Sequence, residues 1–215
     1  MAENLIEAQY DVTKKSKLKK FYEKNKIFIF SFIFILVFAF GSFSFYLENK
    51  EKKRILLSEN YLQAKIYLED GNKNKAIDIL KEVIFANDST YSTLCLFLIM
   101  NQNLITDYRE LSALFDHLLE KNKFSKEERN LLIYKKTLLN SNFVDESKML
   151  ESINPLLNTE TFWKPHGLLL LGDYFVSKGE YIKAIEFYQK IFIINNLHND
   201  LYNHARSQLS IITND

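Results

Sequence analysis

The sequence predicts an all-α protein, one transmembrane helix near the N-terminus followed by an α-solenoid of antiparallel helix pairs. Three observations lead there. Residues 27–47 contain no charged side chain. The remainder breaks into helical stretches of about 12–18 residues joined by short polar segments. Only two Pro and five Gly occur in 215 residues, and β-branched alternation is scarce, a composition that leans helical. The predicted organisation is a Lys-rich tail at 1–26, a membrane span at 27–47 and a helical domain at 48–215.

The span is the strongest signal. Seventeen of its 21 positions are apolar, the exceptions being Ser31, Gly41, Ser42 and Ser44. At about 1.5 Å of rise per residue, the stretch matches a hydrocarbon core of roughly 30 Å. Lys24 and Lys26 bound it on one side, Glu48 and Lys50 on the other. A cleaved signal peptide fits less well, because the apolar run exceeds the usual 7–15 residues and no Ala-x-Ala-like site follows it.

Orientation follows from the flanks. Seven Lys precede the span (Lys14, Lys15, Lys17, Lys19, Lys20, Lys24, Lys26), and four basic residues follow it (Lys50, Lys52, Lys53, Arg54). The positive-inside rule therefore predicts a cytoplasmic tail and an exported domain, periplasmic in a bacterium with two membranes.

The helices beyond residue 50 are read in order. The first covers about Lys50–Asp70 and stops at Gly71, and the second covers Lys73–Phe85. The third runs from about Thr90 to Asn101. The fourth carries Leu111, Leu114, Phe115, Leu118 and Leu119 on one stripe, with Thr106 as its expected N-cap. The fifth opens on a capping box, Ser125-Lys126-Glu127-Glu128, and carries Leu131, Leu132, Leu138 and Leu139. A sixth spans about Asp145–Ile153, a seventh starts near Trp163 and ends at Gly179, and an eighth spans Tyr181 to about Asn195. The last carries Leu201, Ala205, Leu209 and Ile212 on one face.

Internal repeats accompany this pattern. Leu168, Leu171, Gly172, Phe175, Gly179, Ala184 and Tyr188 match the tetratricopeptide order and spacing, placing a 34-residue unit at about 165–198. A second copy lies at about 57–90, with Ala64, Tyr67, Gly71, Ala76 and Leu80 in register. Gly ends the first helix of each pair in a conformation that other residues resist, and the small Ala lets the two helices approach. Gly71 and Gly179 are not separated by a whole number of such units, so the helices between the copies are expected to be divergent.

Signals for chemistry are sparse. The four His (His117, His166, His198, His204) form no metal-binding spacing, and no cofactor or metal site is expected. There is no Gly-rich phosphate loop and no Gly-x-Ser-x-Gly. Acids such as Glu127-Glu128 and Asp145-Glu146 sit at helix starts, where they favour the helix dipole. Net charge is +1 with no concentrated basic face in the helical domain, so no nucleic-acid partner is expected. Cys95, the single cysteine, lies in an apolar run and reads as a small core residue. Asn87-Asp88-Ser89 matches a glycosylation sequon, although a turn explains it as well.

These features resemble the YfgM-type family of ancillary Sec-translocon subunits from Gram-negative bacteria, whose domain is shared with a cell-division coordinator. The resemblance rests on the anchor near residue 27, on Trp163, on Leu168 to Asp173, on the Ser177-Lys178-Gly179-Glu180 turn, on Ala184, and on the terminal helix around Ala205 to Ile212. It implies a non-enzymatic, single-pass inner-membrane protein that sits beside Sec translocon subunits and hands exported proteins to periplasmic chaperones. The alternative is an envelope or cell-division scaffold that acts through self-association. Solenoids bind partners in concave grooves, and the groove-facing positions of the 165–198 unit are His166, Leu169, Asp173, Val176 and Ser177.

Overall fold

The computed structural model describes residues 17–158, 160–195 and 197–213. Lys14 and Lys15 of the basic tail lie outside the described residues. Nine α-helices and no strand form among those described: α1 (Lys17–Glu69), α2 (Lys73–Phe85), α3 (Ser89–Asn101), α4 (Tyr108–Lys121), α5 (Lys126–Asn140), α6 (Glu146–Leu157), α7 (Lys164–Ser177), α8 (Tyr181–Phe192) and α9 (Asn199–Thr213). The chain divides into two compact units, one up to Ile55 and one from Leu56 onward.

The first unit is the greater part of α1. Its apolar side chains are exposed all around the helix, Phe28 at 79% and Phe34 at 71%. A helix apolar on every face has no amphipathic stripe to turn toward a core, and lipid is the solvent that suits it. Among the described residues, α1 is the helix long and apolar enough to cross a membrane. The sequence suggested a break between the span and a helix beginning near Lys50, but α1 is continuous across that point. Nothing at 48–52 interrupts the backbone hydrogen bonding, and Glu48 and Lys52 form an i,i+4 ion pair at 2.7 Å.

The second unit begins with the last turns of α1, where Leu57 and Ala64 are buried and Tyr61 and Leu68 are half-buried. Gly71 ends the helix at φ +77°, a conformation that favours glycine. The Asn72 N–H then donates to the Tyr67 carbonyl at 2.8 Å, closing the last turn. The Asn72 side chain caps α2 by accepting from the Lys75 N–H. α2 buries Ala76, Leu80, Val83 and Ile84. Asp88 caps α3 through the N–H groups of Thr90 and Tyr91, so that helix starts at Ser89, one residue earlier than the sequence suggested. Ser92, wholly buried, donates its hydroxyl to the Val83 and Ile84 carbonyls, both at 3.0 Å. Those bonds satisfy carbonyls at the end of α2 that have no partner within the helix.

Further along, three boundaries depart from expectation. The N-cap of α4 is Asp107, not Thr106; its carboxylate accepts from the Arg109 N–H at 2.9 Å, and an anion also suits the helix dipole. α6 continues past Ile153 through Pro155 to Leu157, because burial of Leu156 outweighs the Pro signal. α7 spans Lys164–Ser177 with Trp163 and Lys178 as its caps, in line with the expected start near Trp163 and stop at Gly179. α8 stops at Phe192, short of Asn195. The stripe of α5 also differs: it buries Asn130, Leu132, Thr137 and Asn140, while Leu138 is exposed.

The capping box of α5 forms as read, with Ser125 and Glu128 satisfying each other's backbone N–H groups. The Ser125 N–H bond holds the Glu128 carboxyl below its ordinary range. Ser125→Ala is expected to destabilise this unit by about 1 kcal/mol, measured by chemical denaturation followed by circular dichroism.

From α2 onward each helix packs against the next, and α2 also meets α4, α5 meets α7, and α7 meets α9. The odd helices α3, α5, α7 and α9 start at Ser89, Lys126, Lys164 and Asn199, a nearly even spacing slightly longer than a tetratricopeptide unit. The core falls into two clusters. One joins the end of α1 to α5 around Leu80, Ile84, Phe115 and Leu118. The other joins α6 to α9 around Met149, Ile153, Leu171, Phe175 and Tyr188.

Candidate functional site

The α7–α8 pair is built around one close approach. Gly172 faces the ring of Tyr188, and a Cβ added at Gly172 would stand 2.3 Å from that ring. Leu171, Phe175, Ala184 and Tyr188 are buried beside it. Gly179 closes α7 at φ +74°, as Gly71 closes α1. The Glu180 N–H donates to the Phe175 carbonyl at 2.9 Å, the counterpart of the Asn72–Tyr67 bond. Ala76 and Ala184, which follow these glycines at the same spacing, are both fully buried.

A second face of α7 is less deeply buried. His166, Leu169, Asp173 and Val176 are half-buried and Ser177 is exposed, at the spacing of a single helix stripe. Neighbouring elements crowd this face. Tyr134 of α5 lies 5.5 Å from the Trp163 ring and 5.9 Å from His166. Phe162 and Trp163 sit 4.9 and 5.1 Å from the same imidazole. At the other end, Asp173 accepts a hydrogen bond from the Tyr188 hydroxyl at 2.6 Å. The His204 Nε2 of α9 lies 3.6 Å from the same Asp173 oxygen, so α9 crosses the face there. Leu169 and Val176 are in part core residues, packed against the α6–α9 cluster. The Ser177 hydroxyl turns back to donate to the Tyr174 carbonyl at 2.6 Å, leaving it a poor outward donor.

The electrostatics of this face are muted. Burial holds the His166 imidazole below its ordinary value, which favours the neutral ring at pH 7. Burial, with the Asp173 charge nearby, pushes the Tyr134 phenol up. Burial and the bond to Asp173 do the same to Tyr188. What remains is a largely uncharged aromatic surface with one carboxylate, suited to stacking against a partner's side chains. The sequence pointed to His166 and Asp173. Phe162 and Trp163 stand four and three residues before His166, a helix spacing, whereas Tyr134 and His204 join them only through the packing of α5 and α9, which no local spacing announces.

The remaining reactive groups sit elsewhere. Among the described residues, no group of three or more His, Cys, Asp or Glu could hold a metal ion. Cys95 is fully buried on α3, and burial pushes its thiol up to about 12. It is expected to resist iodoacetamide at pH 8 in the folded chain and to react promptly once the chain is denatured. A mass-spectrometric alkylation time course checks this. His117 is half-buried, edge-on to Phe85 at 4.7 Å and 2.8 Å from the Asn87 side-chain oxygen. Asn87 occupies the left-handed region at φ 59°, which accounts for its place in the α2–α3 turn without a glycan.

No known family model matches the chain, and no curated protein matches it either.

Proposed function

We propose that the chain is a membrane-anchored protein-interaction scaffold whose helical unit is a tetratricopeptide-like solenoid. The observation that carries this reading is the combination of an all-round apolar α1 with helix pairs that recur at a nearly constant interval. Two pairs share the Gly-then-Ala signature, and the contacts of α5 with α7 and of α7 with α9 are of the kind expected between first helices of successive pairs in a solenoid. A repeat slightly longer than the standard tetratricopeptide unit accounts for the offset between Gly71 and Gly179, which spans three such intervals.

On this reading the Lys-rich tail is cytoplasmic, the span lies in a bacterial inner membrane, and the repeats face the periplasm. The binding surface is the α7 face around His166 and Asp173, with Tyr134 and Trp163 as aromatic anchors. Its resemblance to the YfgM-type family makes Sec translocon subunits and periplasmic chaperones the proposed partners. Crosslinking in intact membranes followed by purification of the detergent-solubilised chain tests this. Enrichment of translocon or chaperone subunits is expected, with loss on Trp163→Ala. Their consistent absence counts against the family role.

A further inference from the structure

We propose that the crevice where α6 and α8 end and α7 begins binds a small organic acid, a carboxylate carried on an apolar body. The joint between α7 and α8 is three residues, 178–180, but the joints 158–163 and 193–198 are six each. These longer joints leave the ends of α6 and α8 and the start of α7 loosely closed, and a crevice of about 600 Å³ opens among them. That volume lies within the range of small-molecule sites, about 300–1,000 Å³. Two turns of α-helix, about 10–12 Å across and about 11 Å long, already exceed it, so a partner's helix is too large to enter.

The lining has an apolar part and a charged part. Leu157, Leu168, Phe187 and Ile194 supply an apolar wall. Leu168 is buried, and the Phe187 ring stacks on Phe175 with centroids 5.4 Å apart, which holds that wall in place. The charged part is Lys164, Lys190 and Glu160. The Lys190 ammonium stands 4.7 Å from the centre of the Phe187 ring and makes no ion pair among the described residues. Its charge therefore lies against the apolar wall itself. Lys164 pairs with Glu160 at 2.5 Å, but the Glu160 side chain is 87% exposed and that of Lys164 only 27%. An ion pair with so exposed a partner contributes little. A carboxylate inside the crevice would meet the two ammonium groups where water is scarcer and the same attraction is stronger.

Charge and polarity together select the ligand class. Lys164, Lys190 and Glu160 sum to +1, which matches a single carboxylate. A doubly charged phosphate exceeds that charge and offers nothing to the apolar wall. A neutral apolar compound covers the wall but gives Lys190 no anion, and an amine meets two like charges. An organic acid does both jobs, through burial of its body and charge-assisted hydrogen bonds to its carboxylate.

Fluorine NMR titration of the detergent-solubilised full chain tests the site, with para-fluorophenylbutanoate and its primary amide as probes. The two share one apolar body and differ in charge, and partition into detergent alone is subtracted. The acid is expected to bind about fivefold or more tightly than the amide. In K164Q/K190Q the two affinities should fall within about twofold of each other, because only the apolar contacts remain. Lys178→Gln removes a charge from the other end of α7 and should keep the preference. Equal binding of acid and amide by the unmodified chain, or no binding of either beyond detergent alone, overturns the proposal. So does a preference that survives in K164Q/K190Q, which would put the acid elsewhere, or one lost equally in Lys178→Gln, which would make it a matter of net charge.

Discussion

Replacing Val37 and Phe38 by aspartate is expected to release the chain from membranes. The two residues lie at the middle of 27–47, where exposed apolar side chains cover every side of α1. Fifteen Ile, Leu, Phe and Val residues fill that stretch. Each contributes about −0.3 to −0.6 kcal/mol to insertion, a sum of about −5 to −9 kcal/mol. An aspartate at the helix centre costs about 3 kcal/mol, so V37D/F38D removes most of that driving force. In a flotation gradient the unmodified chain should rise with the lipid and the variant should remain at the bottom. A variant that floats as well as its parent contradicts the reading of 27–47 as a span.

Within the helical unit the largest effect is expected at Gly172. A Cβ there would stand 2.3, 2.6 and 2.7 Å from three atoms of the Tyr188 ring. The ring has little room to yield, because Tyr188 is fully buried and its hydroxyl is bonded to Asp173 at 2.6 Å. Gly172→Val must therefore push α7 and α8 apart. The expected cost is about 3 kcal/mol or more, from overpacking in a close-packed interior. For a unit of this size that lowers the melting temperature by about 6–12 °C, read by circular dichroism of the full chain in detergent. Gly179→Ala gives the contrast. No atom lies within 4 Å of a Cβ at Gly179, but its φ is +74°. The cost there is backbone strain of about 1–2 kcal/mol, without a clash. If Gly172→Val melts with its parent, the close approach of α7 and α8 does not carry the stability assigned to it.

What the sequence could reveal depended on how local the controlling physics was. The long apolar helix was plain because hydrophobic length and the absence of charge are properties of one segment. The α1 and α7 ends were legible because positive φ at Gly71 and Gly179 selects glycine directly. The α5 start was legible because its capping box lies within four consecutive residues. The N-cap of α4 was misread by one position, since Thr106 and Asp107 are both good caps and only the fold chooses between them. The continuity of α1 past Glu48 was missed because a change from apolar to charged composition looks like a boundary, although the backbone has no reason to break there. The buried polar face of α5 was missed for the opposite reason. Asn130, Thr137 and Asn140 are buried by the helices around them, against the preference of their own side chains.

The candidate surface shows the same division. His166 and Asp173 were found because helix periodicity places them on one face of α7. Tyr134 and His204 were not, because they reach that face from α5 and α9, through packing that no local spacing reports. The pairing of His204 with Asp173 also places α9 over part of the surface. That leaves the Tyr134, Trp163 and His166 end as the more accessible half for a partner.

A scaffold of the proposed kind needs the unit beginning at Leu56 to be anchored by α1 and to lie on the side of the membrane opposite the Lys-rich tail. Protease treatment of sealed, inverted cytoplasmic-membrane vesicles measures this directly. A fragment containing Leu56–Asp215 is expected to survive until detergent opens the vesicles. Digestion of that fragment in intact vesicles would contradict the proposed topology.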